Sequence, residues 1–456
     1  MPGSNQDKKV ITRFAPSPTG QFHLGGVRSA LYNYLFARQN NGIYILRSED
    51  TDKTRSKKEY EDGFLELFDW LGLKPDKFFR QSDRTEIYKK YLEKMIADGA
   101  AYISKEEVKE EGQRSEVIRF KNPNKKITFS DIILGDITVD TTDLKDFVIA
   151  KSLEEPLYHL TVVIDDHEMN ITHVIRGQEH ITNTPRQILI GEAIGANRPL
   201  YAHMPLILGK DRAKLSKRDP EVIPALDYRD LGYLPEAILN FMALIGWNPG
   251  GEKEIFTLDE LIKKFDLKKV QKGAGAFNSD KLDWINKEHM KRLPEDVRNK
   301  QIYNRLKNNP KLSQHEEIKD EKFVSKLYPM IFEHISKWGD IDTMAGAGEL
   351  DFYFNAPQYD SSLLFWKGDT NASETKKHLE FVLEKFKSDA EENFSDPEKI
   401  KNLIFDYATE TGRGKVLWPL RVALSGKDKS PDPFTLIYIL GKNESMRRIN
   451  NAIKIL

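Results

Sequence analysis

Val10-Ile11-Thr12-Arg13-Phe14-Ala15-Pro16-Ser17-Pro18-Thr19-Gly20 and, just after it, His23-Leu24-Gly25-Gly26 decide the fold. The first five residues are a short β-forming run. Pro16, Pro18 and Gly20 then forbid a helix interior and impose a turn. From Val27 to Asn41 the apolar residues Ala30, Leu31, Tyr34 and Leu35 recur at helical spacing, and Gly42 is the expected C-terminal cap. Ile43-Tyr44-Ile45-Leu46-Arg47 is uninterrupted and β-rich, as strands buried on both faces are. Strand, helix and strand at these lengths make a βαβ unit, and the expected fold class is a doubly wound α/β domain. Such sheets bind ligands beyond the carboxyl ends of their strands. A helix N-terminus there presents unpaired N–H groups to phosphate. Gly25 and Gly26 would let a nucleotide approach the backbone, with His23 as a donor. The stretch is neither a G-x-x-x-x-G-K-[ST] loop nor a G-x-G-x-x-G fingerprint, so on its own it fits a plain tight turn as well.

Further along, Val117–Phe120, Ile127–Phe129, Asp136–Val139 and Phe147–Ile149 read as strands between polar turns, an inserted α+β module. Leu160–Ile164 and Ile171–Ile175 return to buried-strand composition. Beyond about residue 217 helical patterns dominate, as over Lys376–Lys387. Gly339–Pro357 is the expected late boundary, and Asp428–Pro433 a turn before another helix.

Composition narrows the classes. The chain has 456 residues, 39% hydrophobic and 31% charged, as in an ordinary globular protein. Lysine plus arginine number 70 and aspartate plus glutamate 71, so bulk positive charge does not argue for nucleic-acid binding. Cysteine is absent, which excludes disulfides, thiolate zinc sites and a cysteine nucleophile. No apolar run reaches membrane-spanning length, and the polar N-terminus lacks a signal-peptide core. A cytoplasmic location is the expectation.

Lys214-Leu215-Ser216-Lys217-Arg218 is the second chemical feature. Loop lysines can neutralise charge developing on a transferring phosphoryl group, although most such runs are solvated surface. Together with the first stretch, this run resembles the paired signatures of class I aminoacyl-tRNA synthetases. Glu49-Asp50-Thr51-Asp52, Asp165-Asp166-His167, Val174-Ile175-Arg176-Gly177, Asn183–Gln187 and Pro419–Gly426 extend the resemblance nearly end to end. Together they point to the bacterial-type glutamyl-tRNA synthetases.

The resemblance implies a Rossmann-type catalytic domain at 1–79 and 157–216, and an inserted acceptor-end-binding module at 80–156. It also implies a stem-contact domain at 217–290 and a mostly helical anticodon-binding region at 291–456, with a subdomain break near 340–357. Arg13, Ser17, Glu49, Tyr158 and Arg176 match the glutamate pocket. Guanidinium forks suit carboxylates, and Glu49 matches the position that holds the α-ammonium. His23, Gly25, Glu179, Leu215 and Lys217 match ATP positions, and His23, Lys214 and Lys217 the catalytic signatures. Asp165, Asp166 and His167 look like a metal triad, but the resemblance makes them core-shaping, with no protein-held metal. Mg²⁺ is expected to arrive with ATP.

The implied reaction is attack of the glutamate α-carboxylate on the ATP α-phosphorus, then transfer to the terminal adenosine of tRNA(Glu), with tRNA(Gln) a second candidate. Activation is expected to need tRNA. A monomer and no membrane partner are expected. In discriminating relatives an arginine just after a helical proline reads the last anticodon base. Here Met330 follows Pro329, and Arg305 is another basic candidate. The sequence departs from the family in three places. Tyr102–Val117 is short and lacks the cysteine-rich zinc loop of some relatives, so no zinc is expected. Leu215 replaces the common Ile or Met, and Val162 stands where some relatives have asparagine. The rivals are a glutaminyl-tRNA synthetase, a truncated paralogue that glutamylates a modified tRNA base, and a non-catalytic tRNA-binding paralogue. The helical C-terminal region, the chain length and the intact signatures argue against them in turn.

Overall fold

The computed structural model describes residues 9–107, 115–209, 223–367 and 370–456. Two compact units divide at Arg292/Leu293.

The first unit is built on a seven-stranded sheet. In chain order its elements are β1 (Ile11–Phe14), α1 (Leu24–Gln39), β2 (Ile43–Ser48), α2 (Lys58–Trp70), β3 (Lys77–Arg80), α3 (Thr85–Ala97), β4 (Ala101–Lys105), β5 (Glu116–Phe120), β6 (Lys126–Asp131), β7 (Gly135–Asp140), β8 (Phe147–Ser152), β9 (Glu155–Pro156), α4 (Tyr158–Glu168), β10 (His173–Gly177), α5 (Thr184–Ala193) and β11 (Leu200–Met204). The strand order is β3-β2-β1-β10-β11-β6-β7, and only β7 runs antiparallel to its neighbour. From β1 the chain winds one way to β2 and β3, and later the other way to β10 and β11. The switch point therefore lies between β1 and β10, where such sheets bind ligands.

Successive residues along a strand explain the continuous apolar runs. Leu46, Ile175 and Ala202 pack on the face covered by α1 and α2, while Ile45, Val174 and Tyr201 pack on the face covered by α3, α4 and α5. Each fully buried leucine of α1, such as Leu31 and Leu35, contributes about 1.5–3 kcal/mol. Asn33 ties the layers together: its Nδ2 donates to the Ile175 carbonyl at 2.9 Å, and its own carbonyl accepts from Thr12 Oγ1 at 2.9 Å.

Three readings need correction. Leu160–Ile164 is the body of helix α4, not a strand. All five residues are buried, and a fully buried helix shows no polar stripe to reveal its period. Gly42 is not the left-handed residue that ends α1, although its N–H closes the helix end on the Ala37 carbonyl at 2.7 Å. Asn40 is the C-cap, Asn41 takes the left-handed turn at φ 49°, and a Cβ on Gly42 would collide with the Val10 carbonyl oxygen. The hairpin β6–β7 falls within the 80–156 insert, yet it extends the main sheet, joined through the Tyr201–Asp131 pairing. The other insert strands form a separate antiparallel sheet, β4-β5-β8-β9. Residues 225–285, within the segment expected as a stem-contact domain, pack into the first unit's own core. The helix Pro235–Leu244 lies on α1, where Tyr32 Oη donates to the carbonyls of Ala243 and Ile245 at 3.0 and 3.2 Å.

The second unit is helical, with its longer helices at Glu295–Asn308, Glu321–His334, Ala372–Ser388, Pro397–Thr411, Arg413–Ser425 and Pro433–Ile455. Side-chain oxygens of Asp320, Asn371, Asp396 and Asp432 accept first-turn N–H groups and fix four of these starts. Within 340–357, the expected subdomain break, Ile341, Ala345, Leu350, Phe352 and Tyr353 are buried. Among the described residues no helix is long and apolar enough to cross a membrane.

Candidate active site

Three strand ends and one helix start meet at the switch point. Arg13 lies near the end of β1, Arg176 near the end of β10, Glu49 just past β2, and Tyr158 opens α4. The backbone holds the loop after β1 against the end of β2: Glu49 N donates to the Pro16 carbonyl at 2.9 Å, and Lys57 N to the Pro18 carbonyl at 2.9 Å. Ser17 is exposed on this loop, and its carbonyl accepts from Thr19 N at 2.9 Å.

A buried ionic network lies beneath. Arg47 is fully enclosed, its Nη1 2.8 Å from Asp166 Oδ1, its Nη2 3.4 Å from Glu49 Oε1 and its Nε 3.6 Å from Asp165 Oδ2. Asp166 is shared with Arg13, whose Nε donates to both its oxygens at 3.2 and 3.3 Å. Burial alone would raise the Asp166 carboxyl, but Arg13 and Arg47 outweigh it and hold the group below its ordinary range. Asp165 accepts from Gln81 Nε2 at 2.8 Å, Arg84 Nε at 2.7 Å and Tyr88 Oη at 2.9 Å. The two aspartates read as metal candidates are thus both held by arginines. A charge buried without partners costs several kcal/mol, which is why they cluster.

Glu49 differs from these aspartates. Burial pushes its carboxyl up to about 7 despite the opposing pull of Arg47 and Arg13. Its neighbour in sequence, Asp52, only closes a surface turn, accepting from Thr54 Oγ1 and Arg55 Nε at 2.7 Å each.

Arg176 is 7% exposed. Its Nε donates to His203 Nε2 at 3.2 Å, and its Nη2 to Thr184 Oγ1 at 2.9 Å and the His180 carbonyl at 3.5 Å. Among the described residues it has no carboxylate partner. Burial pulls its pKa down, with Arg13 adding to the effect. Tyr158 Oη lies 3.4 Å from His180 Nδ1, and burial, with Glu49 nearby, raises its phenol. Three guanidiniums, of Arg13, Arg47 and Arg84, pair with three carboxylates, of Glu49, Asp165 and Asp166, and the Arg176 guanidinium lies beside them without one. Such a site accepts an anion and offers one burial-strained carboxylate to a cation.

On the adjoining side His23 is the extended N-cap of α1, and Gly25 is exposed with open space where a Cβ would project. Gly26 serves packing instead, since a Cβ there would strike the Phe22 ring. Glu179 is exposed just after β10, with its carboxylate folded back over Gly177. Val162 is 2% exposed within the core behind the site. Lys214, Leu215 and Lys217 lie outside the described residues.

The reading from sequence missed Arg47, Asp131 and His203. The signal for Arg47 was present, because a charged residue ending an apolar buried strand needs a partner.

The family model described as "tRNA synthetases class I (E and Q), catalytic domain" matches residues 9–114 and 103–284, and one described as "Anticodon binding domain" matches 287–453. A protein named glutamate–tRNA ligase from Carboxydothermus hydrogenoformans is 38% identical, over 97% of this chain and 99% of its own. One of the same name from Francisella tularensis is 37% identical, over 98% and 99%. The crystal structure of a glutamate tRNA ligase from Elizabethkingia meningosepticum in complex with its amino acid superposes with a TM-score of 0.83 at 34% identity, covering 98% of this chain and 100% of that one. With its switch-point site and near full-length likeness to these proteins, the chain belongs to the class I tRNA synthetases for glutamate and glutamine, in the branch of the glutamate–tRNA ligases.

Proposed function

We propose that this chain joins glutamate to tRNA(Glu) at the expense of ATP. A glutamate α-carboxylate oxygen attacks the ATP α-phosphorus, the bond to pyrophosphate breaks, and glutamyl-adenylate forms. A hydroxyl of the 3'-terminal adenosine of tRNA then attacks the activated carbonyl, and AMP leaves. The observation that carries the reading is Arg176, a buried guanidinium with no carboxylate partner among the described residues. Glutamate brings two carboxylates and one ammonium. Arg13 and Arg176 take the carboxylates, Glu49 receives the ammonium, and Ser17 and Tyr158 complete the pocket. A guanidinium without an anion favours glutamate over the neutral amide of glutamine.

His23, Gly25 and Glu179 hold ATP at the start of α1, with Leu215 of the second signature. Lys214 and Lys217 neutralise charge that grows on the phosphates, and Mg²⁺ enters with the nucleotide. This machinery positions and stabilises charge, with no covalent enzyme intermediate. The chain acts as a monomer in cytoplasmic protein synthesis. The test is aminoacylation with purified tRNA and either glutamate or glutamine. Charging by glutamate alone is expected, and preference for glutamine would reverse the assignment.

One feature favours a wider tRNA choice. In the second unit Met330 lines a pocket of about 830 Å³ with Pro329, Arg421, Lys427 and Asp432. Methionine cannot donate a hydrogen bond to a base edge. The other basic candidate, Arg305, is paired with Asp342 at 2.9 Å. Acceptance of tRNA(Gln) beside tRNA(Glu) follows.

A further inference from the structure

The hairpin β6–β7 joins the ladder of the main sheet at the register pair Tyr201–Asp131, and the same aspartate contacts His203 on β11. Asp131 Oδ1 accepts from the N–H groups of Ile133 and Leu134 at 2.9 Å each. Its Oδ2 accepts from His203 N at 3.0 Å and lies 2.7 Å from His203 Nδ1. Asp131 is 3% exposed and His203 is fully buried.

These contacts fix the imidazole tautomer. An ionised carboxylate only accepts, so Nδ1 carries the proton. Burial, with Arg176 and Arg13 adding to it, outweighs the pull of Asp131 and keeps the ring neutral at physiological pH. Nε2 is therefore an acceptor, and it faces Arg176 Nε, which can only donate, at 3.2 Å, with Thr184 Oγ1 also 3.2 Å away. Thr184 Oγ1 holds Arg176 Nη2 at 2.9 Å, so the guanidinium plane is set at two corners and Nη1 is left for a ligand.

We propose that Asp131 and His203 are positioning residues that aim the Arg176 guanidinium at a substrate carboxylate, so that the hairpin carrying Asp131 helps define the glutamate pocket. The inference rests on the reading of Arg176 as a substrate arginine. With Asp131→Asn, the amide presents an N–H where His203 now finds an acceptor. The ring can then take the other tautomer and set an N–H against the arginine's own.

The experiment is steady-state aminoacylation by the full chain with saturating tRNA, measuring KM for glutamate and for ATP separately. In His203→Asn the amide can still donate to Asp131, but it is too short to accept from Arg176. In His203→Gln the side chain reaches far enough to place an oxygen near the former Nε2. His203→Asn and Asp131→Asn are expected to raise the glutamate KM by about 10-fold, the loss of a hydrogen bond to a charged group, with ATP KM nearly unchanged. His203→Gln should recover most of the loss. Equal loss for glutamate and ATP, or no difference between the Asn and Gln variants, would overturn the relay. Arg176→Lys separates the two claims. If it raises the glutamate KM while His203→Asn does not, the relay alone is wrong. If it leaves the glutamate KM unchanged, the substrate assignment and the relay fall together.

Discussion

Arg47 Nη1 stands 2.8 Å from Asp166 Oδ1, and through that aspartate an enclosed residue sets the aim of Arg13 at the crevice. Removing Arg47 would leave Asp165, Asp166 and Glu49 with less compensation in the core. Arg47→Met is therefore expected to destabilise the protein by about 3–5 kcal/mol, as breaking a buried ion pair does. Urea unfolding of the full chain, followed by tryptophan fluorescence, measures this. A midpoint equal to the parent's would show that water or a rearranged side chain replaces the arginine.

Arg176→Lys keeps the charge and loses the planar fork. With Nε held by His203 and Nη2 by Thr184, a lysine cannot satisfy both and still meet a ligand. A rise of about 10-fold or more in the glutamate KM is expected, with little change for ATP. Equal effects on both substrates would make Arg176 a structural residue.

Glu49 predicts two pH dependences of opposite sign. An ammonium binds the ionised carboxylate, so glutamate affinity in the absence of catalysis should rise as pH passes upward through about 7. For the ligand-free fold the sign reverses. The folded-state pKa lies above the ordinary 4.5, so the folded state holds the proton longer and stability falls as pH rises from 4.5 through about 7. Glu49→Gln should remove that penalty. Its unfolding midpoint relative to the parent should improve between pH 5 and pH 8, while glutamate binding is lost. A difference independent of pH would mean Glu49 titrates normally.

How much of this was legible depended on whether a residue's neighbours in space are also its neighbours in sequence. The first βαβ unit was readable because turn prolines, helical spacing and a β-rich run follow one another from Val10 to Arg47. Arg13, Glu49 and Arg176 stood out through the resemblance, and their places at strand ends follow from the doubly wound topology. Helix α4 was misread because its enclosure on all sides erases the polar stripe that marks a helix. Asp131 and His203 lie 72 residues apart and meet only because β6 pairs with β11. No local spacing signals that contact. The hairpin was assigned to the insert for the same reason, since joining a sheet edge is a fact of tertiary pairing.

Lys217 lies outside the described residues, so its prediction rests on the second signature and on charge. Lys217→Ala should lower kcat by on the order of 100-fold while glutamate KM moves little, because the lysine acts on charge that develops during phosphoryl transfer. Single-turnover adenylate formation with tRNA present is the measurement. Near-parental kcat would remove the lysine from the mechanism.

The proposed acceptance of both tRNAs puts the choice at the pocket around Met330. The anticodons of tRNA(Glu) and tRNA(Gln) differ at the last base, and a reader of that base must donate or accept hydrogen bonds at its edge. Met330 can do neither well, and two of the cations that line the pocket are tied to backbone: Arg421 Nη2 donates to the Asp428 carbonyl at 2.6 Å, and Lys427 Nζ to the Gly348 carbonyl at 2.5 Å. The parent is therefore expected to charge both tRNAs with glutamate. Met330→Arg introduces a planar donor into a pocket of about 830 Å³, large enough to hold it. A matched bidentate contact discriminates by about 1–3 kcal/mol. The variant should therefore lower kcat/KM for tRNA(Gln) by about 5- to 150-fold relative to tRNA(Glu). Charging assays with the two purified transcripts decide the matter. If the parent leaves tRNA(Gln) essentially uncharged, discrimination resides elsewhere and Met330 is a packing residue of the pocket wall.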